Sequence, residues 1–101
     1  MTRQEVWALI KRLDDIRKAH SLESIMTPDE RKTLSEEEES ICECLEPLIN
    51  SLPPGRGKVV ARTRIIDGYD CGWIARTLHY SRSCIYKSLG DAIKSMSRGD
   101  E

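Results

Sequence analysis

The chain has 101 residues, a third of them charged and few aromatic, with 16 basic and 17 acidic side chains and a net charge of −1. That length fits one domain, or a small domain with a helical extension, with a modest core, and half of it alone would be marginal. No apolar run approaches the ~20 residues of a membrane span, and no signal-peptide h-region precedes the first amphipathic pattern, so a cytoplasmic chain that does not cross a membrane is expected.

The charge is unevenly placed. Residues 1–50 hold 7 Lys and Arg against 12 Asp and Glu, and residues 51–101 hold 9 against 5. Such a split hints at a second half that faces a polyanion, although an unevenly charged solvated surface gives the same count. The cysteines are Cys42, Cys44, Cys71 and Cys84. They form no Cys-x-x-Cys pair, and Cys42 and Cys44 would point ~200° apart on a helix at ~100° per residue, too far to clamp one metal. Reduced, mostly buried thiols are expected, with no metal and no cofactor.

In chain order, Thr2-Arg3-Gln4-Glu5 is a capping box, a Thr answered three residues on by Glu. The helix it opens carries Val6, Leu9, Ile10, Leu13 and Ile16 on one stripe, with Trp7 at the edge and Lys11, Arg12, Asp15, Arg17 and Lys18 on the solvated face. It should end at about His20, or reach Ile25; His20 reads as a half-buried interface residue. Thr27-Pro28-Asp29-Glu30 is a second helix start, with a capping Thr, Pro at the first helical position and acids in the first turn. Ser35-Glu36-Glu37-Glu38 is a third start, which leaves open whether one helix or two cover 28–52. The glutamates of 36–39 read as a solvated helix face. Leu34, Ile41, Leu45, Leu48 and Leu52 recur at sevens and at threes or fours, a stripe suited to another helix, either within the chain or across a homodimer. Pro47 lacks an N–H and crowds the carbonyl of Glu43, so a kink or break is expected near Glu46.

Leu52-Pro53-Pro54-Gly55-Arg56-Gly57 is the strongest boundary, dividing an N-terminal helical region (1–52) for interaction or oligomerisation from a second region (53–101). Lys58 to Asp67 reads as a helix stopped by Gly68. Asp70 caps the next helix, in which Ile74, Ala75 and Leu78 share a face. His79 and Tyr80 turn, and Ser81 caps a final helix of about 82–97, whose face is Ile85, Leu89, Ile93 and Met96. The last residues, Arg98 to Glu101, are expected to fray. Two helices joined by a tight turn, the second offering Ser81, Arg82, Ser83, Tyr86 and Lys87 away from the core, fit a helix-turn-helix that lays its second helix in the DNA major groove. An αα-hairpin with a basic outer face would fit the same pattern.

Arg64-Ile65-Ile66-Asp67-Gly68, Asp70, Ile74-Ala75, Leu78, Tyr80-Ser81 and Ile85-Tyr86 resemble the C-terminal half of small bacteriophage and prophage transcription regulators of the ArpU and RinA kind. These are similar in turn to region 4 of bacterial sigma factors. The resemblance covers roughly residues 41–97. It implies an all-α fold, an N-terminal helical hairpin followed by a three-helix sigma region 4-like unit, and a transcription regulator of phage or mobile-element origin. His79 stands where Gly is usual in the turn, a position that often has positive φ and that His tolerates better than most residues. Ile65 replaces an aromatic residue, which alters packing rather than DNA contact. The groove-facing roles carry to Ser81, Arg82, Ser83, Tyr86 and Lys87.

Arg82 is the candidate base reader, since an Arg near the start of a groove-lying helix can bond two guanine acceptors; a phosphate contact is the alternative. Lys87 fits phosphate as a point charge. Ser81 serves first as a cap. Tyr86 either touches a thymine methyl or sugar or covers the core edge. Arg76, Arg56, Lys58 and Lys94 are candidate backbone anchors. Six phosphate contacts would give a log–log salt slope of about −5, and a module this small would need a second copy or RNA polymerase for tight binding. No catalytic constellation is visible, so no enzyme is expected. Two other readings fit the pattern: a small terminase-like packaging subunit, and a sigma-like module that binds polymerase without touching DNA.

Overall fold

The computed structural model describes residues 1–22 and 25–97. Its fold is all-α. Helix α1 spans Arg3–His20, α2 Pro28–Asn50, α3 Arg56–Ala61, α4 Cys71–Leu78 and α5 Arg82–Met96; a π-helical turn, Arg62–Ile66, continues α3. No described helix is long and apolar enough to cross a membrane. The predicted fraying at 98–101 lies outside the described residues.

The starts of α1 and α2 are built alike. The Thr2 N–H donates to Glu5 Oε1 (2.8 Å) and Thr2 Oγ1 accepts from the Glu5 N–H (3.1 Å). Thr27 and Glu30 repeat the exchange at 3.0 and 3.2 Å. Each box satisfies two backbone donors that a helix start otherwise leaves to water. From Thr27 one helix runs to Asn50, so the third start signal at Ser35 opens nothing. The expected break near Glu46 is also absent: α2 continues through Pro47. The physical reason is position. Pro47 is exposed in the last turn, where the Glu43 carbonyl it leaves without a partner can face water.

The stripes of α1 and α2 face a core within the chain. Val6, Ile10, Leu13 and Ile16 of α1 meet Ile41, Leu45, Ile49 and Leu52 from α2 and its end, Val60, Ala61 and Ile65 beyond the Pro53-Pro54 boundary, and Ile74, Ala75, Ile85, Leu89, Ile93 and Met96 of the last two helices. The buried residues form a single cluster spanning both sides of residue 52. Ile49, outside the predicted stripe, is fully buried. Leu78 departs in the other direction: predicted to share the face of Ile74, it is 36% exposed because α4 ends there and the chain turns away.

Where the third helix was predicted over 58–67, α3 instead begins at Arg56 and widens at Arg62. The Asp67 N–H reaches the Arg62 carbonyl (3.1 Å), five residues back, which is the π spacing. Arg17 accounts for what this turn does with its carbonyls. Predicted on the solvated face of α1, Arg17 is instead half-buried: Nη1 donates to the Ile65 carbonyl (2.6 Å), Nη2 to the Ile66 carbonyl (2.9 Å) and Nε to Glu38 Oε2 (3.0 Å). Next to it, Arg64 of the π turn makes a two-bonded fork with Asp14 (3.0 and 2.6 Å). The acidic run of α2 is likewise not simply solvated: Arg12 forks onto Glu37 (2.6 and 2.8 Å), and Glu38 lies 3.7 Å from His20 Nε2.

Candidate nucleic-acid interface

The link from α3 to α5 is specified residue by residue. Gly68 takes a positive φ of 83°, open to glycine without steric penalty. The Asp70 carboxylate then caps α4, accepting from the Trp73 N–H at 2.8 Å. At the other end His79 adopts the left-handed conformation (φ 62°, ψ 41°), and the N–H groups of His79 and Tyr80 both donate to the Ala75 carbonyl. This is a Schellman-type stop, made by His where Gly would be unstrained. Ser81 Oγ accepts from the Cys84 N–H at 3.2 Å and starts α5.

Helix α5 is held on one side by Ile85, Ser88, Leu89, Ala92, Ile93 and Met96, all buried. At ~100° per residue, Ser83, Lys87, Gly90 and Lys94 fall within about 60° of one another on the opposite side. Ser83, Lys87 and Lys94 are exposed. Arg82 and Tyr86 flank this ridge toward α4; Tyr86 is 58% exposed. Ser81 is exposed as well, with its hydroxyl accepting a capping bond and its proton available for donation. Arg76 is exposed on α4.

Two of the candidate backbone anchors have structural work instead. Lys58 Nζ donates to the Asn50 carbonyl (3.2 Å), a cation at the C-terminus of α2, where the helix dipole favours it. Arg56 donates from Nε to Ser88 Oγ (2.9 Å), and its guanidinium carbon lies 4.8 Å from the centre of the Tyr80 ring. That contact ties the start of α3 to α5 and to the turn between α4 and α5. Both residues border an open groove of about 290 Å³ that also meets Asp91 and Ser95, a side of α5 away from Arg82.

Sequence reasoning missed an aromatic stack and an arginine seat. The rings of Tyr69 and Trp73 lie 4.0 Å apart and 13° from parallel at the start of α4, both well exposed; their i, i+4 spacing was the available signal. The Arg82 guanidinium lies over Gly72, and the signal there was a glycine in a helix that does not need one.

The thiols do not assemble. Cys71 is buried and Cys44 exposed, against the expectation of mostly buried thiols, with Cys42 and Cys84 between, and all four are free. Burial pushes the Cys71 thiol up, partly opposed by Arg64, and does the same to Cys42, partly opposed by Arg17. Among the described residues no group of three His, Cys, Asp or Glu side chains could hold a metal ion. No protein-family model, curated protein or solved structure matches the chain.

Proposed function

We propose that the chain is a sequence-specific DNA-binding transcription regulator that lays α5 in the major groove of double-stranded DNA. The observation that carries this reading is the outer ridge of α5: Ser83, Lys87 and Lys94 stand exposed along one line, opposite the buried face, on the second of two helices that are capped by Asp70 and Ser81. Arg82 reads base edges, Lys87 and Lys94 neutralise phosphates, Ser81 and Ser83 bond phosphate or base, and Tyr86 packs against sugar or a thymine methyl. Arg76, on the first helix of the pair, meets the backbone. The resemblance to ArpU- and RinA-like regulators and to sigma region 4 points the same way, and with it a phage or mobile-element origin. A second copy or RNA polymerase supplies the affinity that one small module lacks.

Intrachain burial of the α1 and α2 stripes weighs against a packaging ring assembled through those stripes. Selection of bound sites from a random duplex pool, followed by fluorescence anisotropy on the enriched duplex, tests the reading. Arg82→Ala together with Lys87→Ala should weaken binding at least tenfold, since a bidentate base contact alone contributes about 1–3 kcal/mol of discrimination. Unchanged affinity would remove α5 as the DNA-facing helix.

A further inference from the structure

Gly72 stands at the second position of α4, inside a helical turn. Its φ is not among the positive values of the described residues, which belong to Gly55, Gly68 and His79. The backbone therefore does not require glycine there, and glycine weakens a helix relative to alanine. What Gly72 provides is room. A β-carbon on it would lie 3.0 Å from Arg82 Nη2 and 3.3 Å from Arg82 Nε, with Asp70 Oδ1 3.2 Å from the same point. The guanidinium of the first residue of α5 thus occupies the space a side chain at position 72 would fill, on the side of α4 where the capping carboxylate lies.

We propose that Gly72 and Asp70 form a seat that holds the Arg82 guanidinium before DNA arrives, which makes Gly72 a positioning residue for base reading. This rests on the DNA-binding reading of α5. A cation over a helix N-terminus is opposed by the helix dipole, and the Asp70 carboxylate offsets that opposition. The same carboxylate repels phosphate, which directs Arg82 to the acceptors of a base edge rather than to the backbone. An exposed arginine that must be ordered on binding loses rotamer freedom. An arginine already seated loses less, so filling the seat should weaken binding.

The experiment compares wild type, Gly72→Ala, Asp70→Asn and Arg82→Ala. Alanine favours the helix and asparagine still caps it, so both seat variants should keep the wild-type circular dichroism. In the free chain, nitrogen-15 relaxation at Arg82 Nε should report restricted motion in wild type and the motion of a free arginine in Gly72→Ala. On the duplex enriched by the wild-type chain, Gly72→Ala should lower affinity about two- to tenfold, and should cost nothing further in the Arg82→Ala background. Asp70→Asn, which also lifts the repulsion of phosphate, should narrow the affinity gap between the enriched duplex and a scrambled one. An equal loss in both backgrounds, or Arg82 Nε relaxation unchanged by Gly72→Ala, overturns the seat while leaving DNA binding by α5 standing. A wild-type chain that enriches no duplex overturns both.

Discussion

On the α1–α2 side, Arg12 and Arg17 are paired with Glu37 and Glu38, and Arg64 of the π turn with Asp14. On α5, Arg82, Lys87 and Lys94 take part in no ion pair among the described residues. The two regions use the same residue types oppositely. In the first, cations close the structure: Arg17 alone joins α1, α2 and the π turn. In the second, no hydrogen bond or ion pair among the described residues uses them. In a chain with a net charge of −1, the total therefore carries little information, and a candidate site is the set of charges that the fold leaves over. Both uses of charge sit on one core that joins the two regions, so the regions should unfold together.

Ile49 and Ile85, one in each region, are both fully buried in the shared core. Each truncation to alanine should cost about 2–5 kcal/mol, and each should lower the same single transition in urea. Two separable transitions, each sensitive to one of the two substitutions, would make the regions independent and break the comparison. Arg17→Ala comes next. It removes four hydrogen bonds from a half-buried guanidinium, the weakest a 4.0 Å contact to Cys42 Sγ, and leaves the Ile65 and Ile66 carbonyls without that donor, so a loss of about 2–3 kcal/mol is expected. Its DNA affinity, measured well below its melting temperature, should keep the wild-type salt slope. Lys87→Ala should do the reverse: stability within about 0.5 kcal/mol of wild type, and a log–log salt slope shallower by about one. If Arg17→Ala flattened the slope and Lys87→Ala left it alone, the division of roles would be the wrong way round.

How much of this was legible in the sequence depends on how far apart the interacting residues stand. The caps at Thr2, Thr27, Asp70 and Ser81 and the turn at His79 were legible because each is closed by groups within about four residues. The apolar periods of α1 and α5 were legible because each helix buries one face. Arg17 was not, because its partners Ile65 and Ile66 lie 48 and 49 residues away, and an arginine among lysines on a helix reads as solvated until those carbonyls are in place. The π turn was hidden for the same reason. Pro47 misled because the rule for a helix interior was applied to an exposed last turn. At the candidate site, the exposed residues of α5 followed from subtracting the core face, whereas the resting place of Arg82 on Gly72 needed the crossing of α4 and α5.

The smallest expected effect separates local hydrogen bonding from pairing between helices. Three solvent-facing carboxyls are held below the ordinary glutamate range: Glu5 by the Thr2 backbone N–H and then its side chain, Glu30 in the same way by Thr27, and Glu37 by hydrogen bonds from Arg12. A folded-state value below the unfolded one means that the unfolded chain takes up protons first as the solution is acidified. The stabilisation is therefore complete above the unfolded value, about 4.3, and is lost as pH falls through the folded values. Carbon-13 titration of the side-chain carboxyls should show all three midpoints below that of a free glutamate. In 1 M salt, where the Debye length is about 3 Å, the Glu37 midpoint should rise toward the free value, because its partner is a charge on another helix. Those of Glu5 and Glu30 should move less, because their partners are backbone donors within the same turn. Equal salt shifts at all three positions would mean that the α1–α2 pairs and the capping boxes are one kind of electrostatics, and that Arg12 adds nothing beyond what the helix start already supplies.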